Sequence, residues 1–191
     1  MTAPPIKEWH SLESSAQFSD PSDCARRADR FERQVRMRNA IEYAACVLVV
    51  LLFGGGAIAT LIAGETMIAL SLLLVVAGTI IVARNLHRRA SNLARIAEDP
   101  CLDHLRRQYR RQYDALRSVP VWYIGPLLPG VILLYAVITY KVARVSDAAS
   151  ALAGLAGPAA VTFGLFGVVI VANILAARAI RRKLDELDQA G

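Results

Sequence analysis

The sequence predicts an all-α polytopic membrane protein, with four transmembrane helices and cytoplasmic helical extensions. Three observations lead there. Hydrophobic residues make up 55% of the 191, and mean hydropathy is +0.39. Charged residues, 20% of the chain, are gathered into a few blocks separated by uncharged apolar runs long enough to cross about 30 Å of hydrocarbon. All but two of the 22 Lys and Arg residues fall in segments 1–42, 84–117 and 178–191. A soluble globular enzyme, a secreted disulfide scaffold and a disordered tail protein all conflict with that distribution.

Residues 1–20 are polar and mixed in charge; they read as a disordered tail without a cleavable signal peptide. Residues 21–63 read as a juxtamembrane helix continuing into span 1. Asp20 offers a cap, Pro21 suits the first helical position, and Asp23 supports the first turn. Cys24, Ala28, Phe31 and Val35 then recur at spacings of four and three, an apolar stripe among arginines. That stripe fits either a surface for a partner or for lipid, or a stem packed on its neighbour. Residues 43–64 carry no charge, enough for a helix of roughly 30 Å. Gly64, Glu65 and Thr66 make the tight turn into span 2, residues 66–83.

Residues 84–118 read as a cytoplasmic helical hairpin. Leu86, Leu93 and Ile96 extend span 2, and Asp99 with Pro100 restarts a helix. Leu102, Leu105, Tyr109 and Leu116 form a heptad-like seam broken by Gln112, a second candidate partner surface. Span 3, residues 119–140, opens with Trp122 and Tyr123 at belt positions. Gly125, Pro126, Pro129 and Gly130 weaken its backbone ladder and predict a kink. Residues 141–157 read as an external loop, in which 148–157 is an interfacial approach or an extra helical turn. Span 4 is 158–177, with Pro158 in its first turn, and 178–191 is a C-terminal helix with Ile180, Leu184 and Leu187 on one side. The three polar segments could form one small helical bundle.

The arginine and lysine bias places both termini and the middle loop in the cytoplasm. The net charge of +6 and pI near 9.6 then point to anionic lipids at that face and argue against nucleic acid. Cys24, Cys46 and Cys101 form no even, spaced set and read as reduced thiols.

The spans carry no Asp, Glu, Lys, Arg or His, which speaks against intramembrane catalysis or ion pumping. Asn173 is the most polar side chain in a span and reads as a bond to a neighbouring helix. Glu65 reads as a solvated turn carboxylate. Cys101 and His104 lie three apart, but two ligands do not make a metal site, and no metal or cofactor is expected. No Walker loop, G-x-S-x-G or H-E-x-x-H string occurs. Gly56, Thr60 and Gly64, and likewise Ala160 and Gly164, are spaced by four as small-residue ridges, for packing within the chain or for a homodimer seam.

Arg117, Ser118 and Val119, then Trp122 and Tyr123, then Pro126, Pro129 and Gly130, resemble a signature of small proteobacterial inner-membrane proteins with four spans. Pro120 stands where relatives often carry an aromatic residue. The string Arg38 to Tyr43, the tail from Asn173 through Arg181, Arg182, Lys183, Leu184, Asp185, Glu186 and Leu187, and Trp9 are similar to that family as well. The resemblance covers most of the chain and implies an inner-membrane protein; it carries no activity.

The expectation is therefore a non-enzymatic protein whose cytoplasmic helices bind a protein partner, for instance as a membrane-anchored, anti-sigma-like regulator. The alternative is a small transporter or channel component working as an oligomer, with the break at 125–130 on its path.

Overall fold

A computed structural model describes residues 21–94 and 100–189. The tail 1–20 with Trp9 and the Asp20 cap, and Ile96 and Asp99 of the middle loop, lie outside the described residues. Within them every element is helical: α1 Pro21–Ile62, α2 Thr66–Ala90, α3 Cys101–Arg117, a π-helical turn Pro120–Ile124, α4 Leu128–Ala143 and α5 Ala148–Gln189. By length and composition α1, α2 and α5 could each cross a membrane; α4 is apolar but only 16 residues long.

The α1–α2 turn is closed by two backbone bonds, Gly64 N to Leu61 O at 3.0 Å and Glu65 N to Thr60 O at 2.8 Å. This pairing requires a left-handed residue just past the helix, and Gly64 takes it with φ +80°. Gly64 thus makes the expected turn, and with nothing within 4 Å of an added Cβ it takes no part in packing within the chain. Gly56 does face α2, where an added Cβ would lie 3.4 Å from Leu72 Cδ1. Thr60 turns its hydroxyl back onto Gly56 O and Ala57 O.

The expected break between α3 and α4 is present, and proline chemistry accounts for it. Pro120 has no N–H to give Leu116 O and so interrupts the ladder, and the turn that follows is π-helical, with Gly125 N bonding Pro120 O at 3.0 Å. Pro126 likewise denies Trp122 O its helical donor. Asn85 of α2 supplies the missing bond at 3.1 Å. At this break α2 and α4 come into backbone contact. A Cβ on Gly78 would strike Pro126 O, and one on Gly130 would lie 2.6 Å from Val75 N. The kink residues are therefore the seat of a tight α2–α4 crossing that only glycine permits.

Helix α5 begins at Ala148, ten residues before the expected start of span 4, so the whole of 148–157 is continuous helix. Asp147 is the reason: Oδ1 accepts Ser150 N at 2.8 Å and Oδ2 accepts Ser150 Oγ at 2.7 Å, an N-terminal cap. Pro158 sits inside the helix instead of opening it. Both α1 and α5 have 42 residues, roughly 63 Å each.

The apolar segments stand in a row: α1 packs on α2, α2 on α4, and α4 on α5. Of the most apolar 18-residue windows, that of α2 is 39% buried, against 6% for α1 and 0% for α5. Ala160 and Gly164 are exposed, and Gly164 meets no neighbour, so they do not pack within the chain. Glu65 forms an ion pair with Lys141, which joins the α1–α2 turn to the far end of α4. The turn carboxylate is thus partnered, contrary to expectation.

Candidate functional site

The polar halves of α1 and α5 extend past the apolar row and close around α3 as a three-helix head. Its core comprises Cys24, Ala28, Phe31 and Val35 of α1, Leu105 and Tyr109 of α3, and Leu184 of α5, with Tyr113, Ile180 and Leu187 packed against it. Phe31 and Tyr109 meet edge to face with centroids 4.5 Å apart. This corrects the reading of Cys24, Ala28, Phe31, Val35, Leu105, Tyr109 and Leu116 as surfaces for a partner: all are buried. Only Leu102 is exposed. The two stripes face each other, because each is too apolar to leave in water and the hairpin brings them together.

Cys24 and Cys101 are joined as a disulfide, with Cα atoms 6.3 Å apart and a sequence separation of 77. The expectation of three free thiols is therefore wrong for this pair; Cys46 is free. Cys101 is also unavailable as a partner ligand to His104, whose Nε2 lies 3.1 Å from Glu32 Oε1. No cluster of three or more His, Cys, Asp or Glu suited to a metal occurs among the described residues.

Amide side chains join the head to the apolar row. Helix α2 ends at Ala90 without a glycine to close it. Its carbonyl instead accepts Asn39 Nδ2 from α1 and Gln112 Nε2 from α3, each at 2.9 Å. Arg38 Nη2 lies 3.2 Å from Gln112 Oε1, and burial pushes the Arg38 guanidinium below its ordinary pKa, with Glu42 opposing. One turn back on α3, Gln108 accepts Leu93 N at 2.9 Å and donates to Asn92 Oδ1 at 2.6 Å, and Asn92 donates to Glu32 O. Gln112 looked like a fault in the seam and is fully buried. Tyr123 donates to Glu42 Oε2 at 2.6 Å beside a small cavity that Asn173 also lines. Asn173 spends its amide on Val169 O of its own helix, at 2.8 Å, and not on a neighbour.

A groove of about 690 Å³ runs over the head between α1, α3 and α5. Arg26, Arg27 and Arg30 form one wall, Lys183 and Glu186 the other, and Phe31, Leu105, Tyr109 and Leu187 the floor. Burial raises the Tyr109 pKa, Arg27 pulls it back, and Glu186 raises it again. The sequence shows arginines on α1 but no sign that Lys183, about 150 residues later, completes their site. Gln34 lines the groove as well. The groove's four basic side chains can attract and hold an anionic group. Comparison with family models, curated proteins and solved structures gives no match.

Proposed function

We propose that the chain is a non-catalytic, four-span protein of the bacterial inner membrane whose cytoplasmic head binds an acidic segment of a soluble protein. The observation that carries this reading is the groove: four basic side chains and one acidic line it, above aromatic and aliphatic side chains. Complementary charge would steer and orient such a partner between the two walls, while Phe31, Leu105 and Tyr109 beneath them stay in the head's own core. The arginine and lysine bias supports a cytoplasmic head. The Glu65–Lys141 pair supports a fourth span, because it brings the end of α4 back to the turn from which α2 starts. The 16 residues of α4 give about 24 Å, and the widened turn before it adds length. The exposed apolar faces of α1 and α5 suit hydrocarbon. The break at Gly125, Pro126, Pro129 and Gly130 is packed on α2, which favours a structural role there over the path of a transporter.

Truncating the first 35 residues would remove the head's own core, so charge reversal is the cleaner test. Full-length protein tagged at its C-terminus is solubilised gently and its co-purifying proteins are compared with those of Arg27→Glu/Arg30→Glu. The expected result is a soluble protein retained by the native chain and reduced at least tenfold by the double variant. Equal recovery on both would overturn the groove as the partner site.

A further inference from the structure

The bond between Cys24 and Cys101 sits oddly with the compartment. A cytoplasmic head lies where thiols are kept reduced, and disulfides found there are usually transient or redox-sensing. Its position in the head is specific. Cys24 precedes Arg27 and Arg30 by one and two helical turns on the same helix, and Cys101 precedes Leu105 by one turn on α3. The bond therefore ties together the outer ends of two helices that form the groove's wall and floor.

We infer that Cys24 and Cys101 form a reversible redox latch that fixes the arginine-bearing wall of the partner groove. The inference rests on the cytoplasmic placement of the head proposed above. Burial makes the route asymmetric: Cys24 is 4% exposed, whereas Cys101 is partly accessible. Opening uses a dithiol reductant, the chemical class that keeps cytosolic thiols reduced. Its thiolate attacks Cys101 Sγ, the S–S bond breaks, and the Cys24 thiolate leaves and takes a proton. The reductant's second thiol then attacks its own sulfur in the mixed disulfide and releases Cys101 as a thiol. Two electrons and two protons pass to the cysteine pair, and the reductant leaves as a disulfide. Closing is the reverse exchange with a disulfide donor. Phe31, Leu105, Tyr109 and Leu184 share the core with Cys24, and in the reduced form these side chains hold the head together while the start of α1 is freed.

The test uses full-length protein carrying Cys46→Ala, so that every thiol counted belongs to the pair, with a topology reporter on Gly191. Thiols are trapped by acid in living cells and counted with a polyethylene-glycol maleimide, before and after a pulse of diamide. Trypsin cleavage at Arg26, Arg27 and Arg30 is then timed in native membranes in both redox states. The expected result is a cytoplasmic reporter, two free thiols in unstressed cells, none after diamide, and two again on recovery. Cleavage at the α1 arginines is at least fivefold faster in the reduced form, and Cys24→Ser cleaves at the fast rate in both conditions. With the reporter cytoplasmic, thiols that stay free through diamide, a bond that persists in unstressed cells, or equal cleavage rates each overturn the latch. A reporter reading external overturns it by the other route, because the orientation fails and the bond is a permanent one in an oxidising compartment.

Discussion

Asn39 of α1 and Gln112 of α3 donate to the same backbone oxygen, Ala90 O at the end of α2, each at 2.9 Å. The last carbonyls of a helix need partners from outside it, and this end is buried away from water. Two amides from separate helices thus close α2 and pin the head to the apolar row.

Replacing either amide by Leu leaves the other donor in place, so Asn39→Leu and Gln112→Leu should each cost about 1 kcal/mol. The double variant leaves a buried carbonyl unpaired and should cost about 1–3 kcal/mol more than the sum of the two. Unfolding in mixed micelles reads the coupling. Simple additivity would mean that the two bonds act independently.

The α2–α4 crossing makes a sharper claim about size. A Cβ on Gly78 or Gly130 would collide with backbone, which cannot move aside as a side chain can. Gly78→Val and Gly130→Val should each destabilise the fold by about 2 kcal/mol or more and lower its yield in membranes. Gly164→Val touches nothing in the chain and should leave monomer stability within about 0.5 kcal/mol. If Ala160 and Gly164 form a seam between two copies, the same substitution would abolish a dimer seen by chemical cross-linking.

Trp122 O offers a third test. Its ordinary helical donor is missing because residue 126 is proline, and Asn85 substitutes for it. Asn85→Leu should therefore cost about 1–3 kcal/mol, while Pro126→Ala in the same background should recover part of that loss by restoring an N–H. Failure of the second change to help would disconnect Asn85 from the proline.

Asp147 gives a pH dependence. The Ser150 backbone N–H, then its hydroxyl, hold the Asp147 carboxyl below its ordinary pKa. A depressed native value means that the cap is fully present above the ordinary carboxylate range, near pH 4, and is lost as pH falls through the lowered value. Amide exchange at Ala149, Ser150 and Ala151, corrected for intrinsic rates, should be slow at pH 6 and accelerate only below that range. Asp147→Ala should be fast at both.

Much of this fold can be read from the chain. The apolar runs 43–64 and 66–83, the stripe at Cys24, Ala28, Phe31 and Val35, and the break near Pro126 all have counterparts in the structure. Periodicity identifies an apolar face but not what covers it, so stripes that resembled partner sites proved to cover each other. Gln112 follows the same logic: its value depends on an unclosed helix end more than twenty residues away. Gly64 carried two signals, four-residue spacing and adjacency to Glu65, and the turn decides because it alone needs φ +80°. The early start of α5 was legible in Asp147 and Ser150, a cap outweighed by the apparent suitability of Pro158 for a first turn. No pattern of one dimension pairs Cys24 with Cys101 or Arg30 with Lys183.

The membrane arrangement is tested most directly by single cysteines at Thr66, Ser91, Ser146 and Asp188, placed one at a time in a chain with Cys24→Ser, Cys46→Ala and Cys101→Ser. An impermeant maleimide is applied to intact and then to permeabilised spheroplasts. Four spans and a cytoplasmic head require positions 66 and 146 to label in intact spheroplasts, and positions 91 and 188 only after permeabilisation. Labelling of 66 and 146 from opposite sides would mean that α4 does not cross, and would contradict the architecture on which the head, its groove and its latch depend.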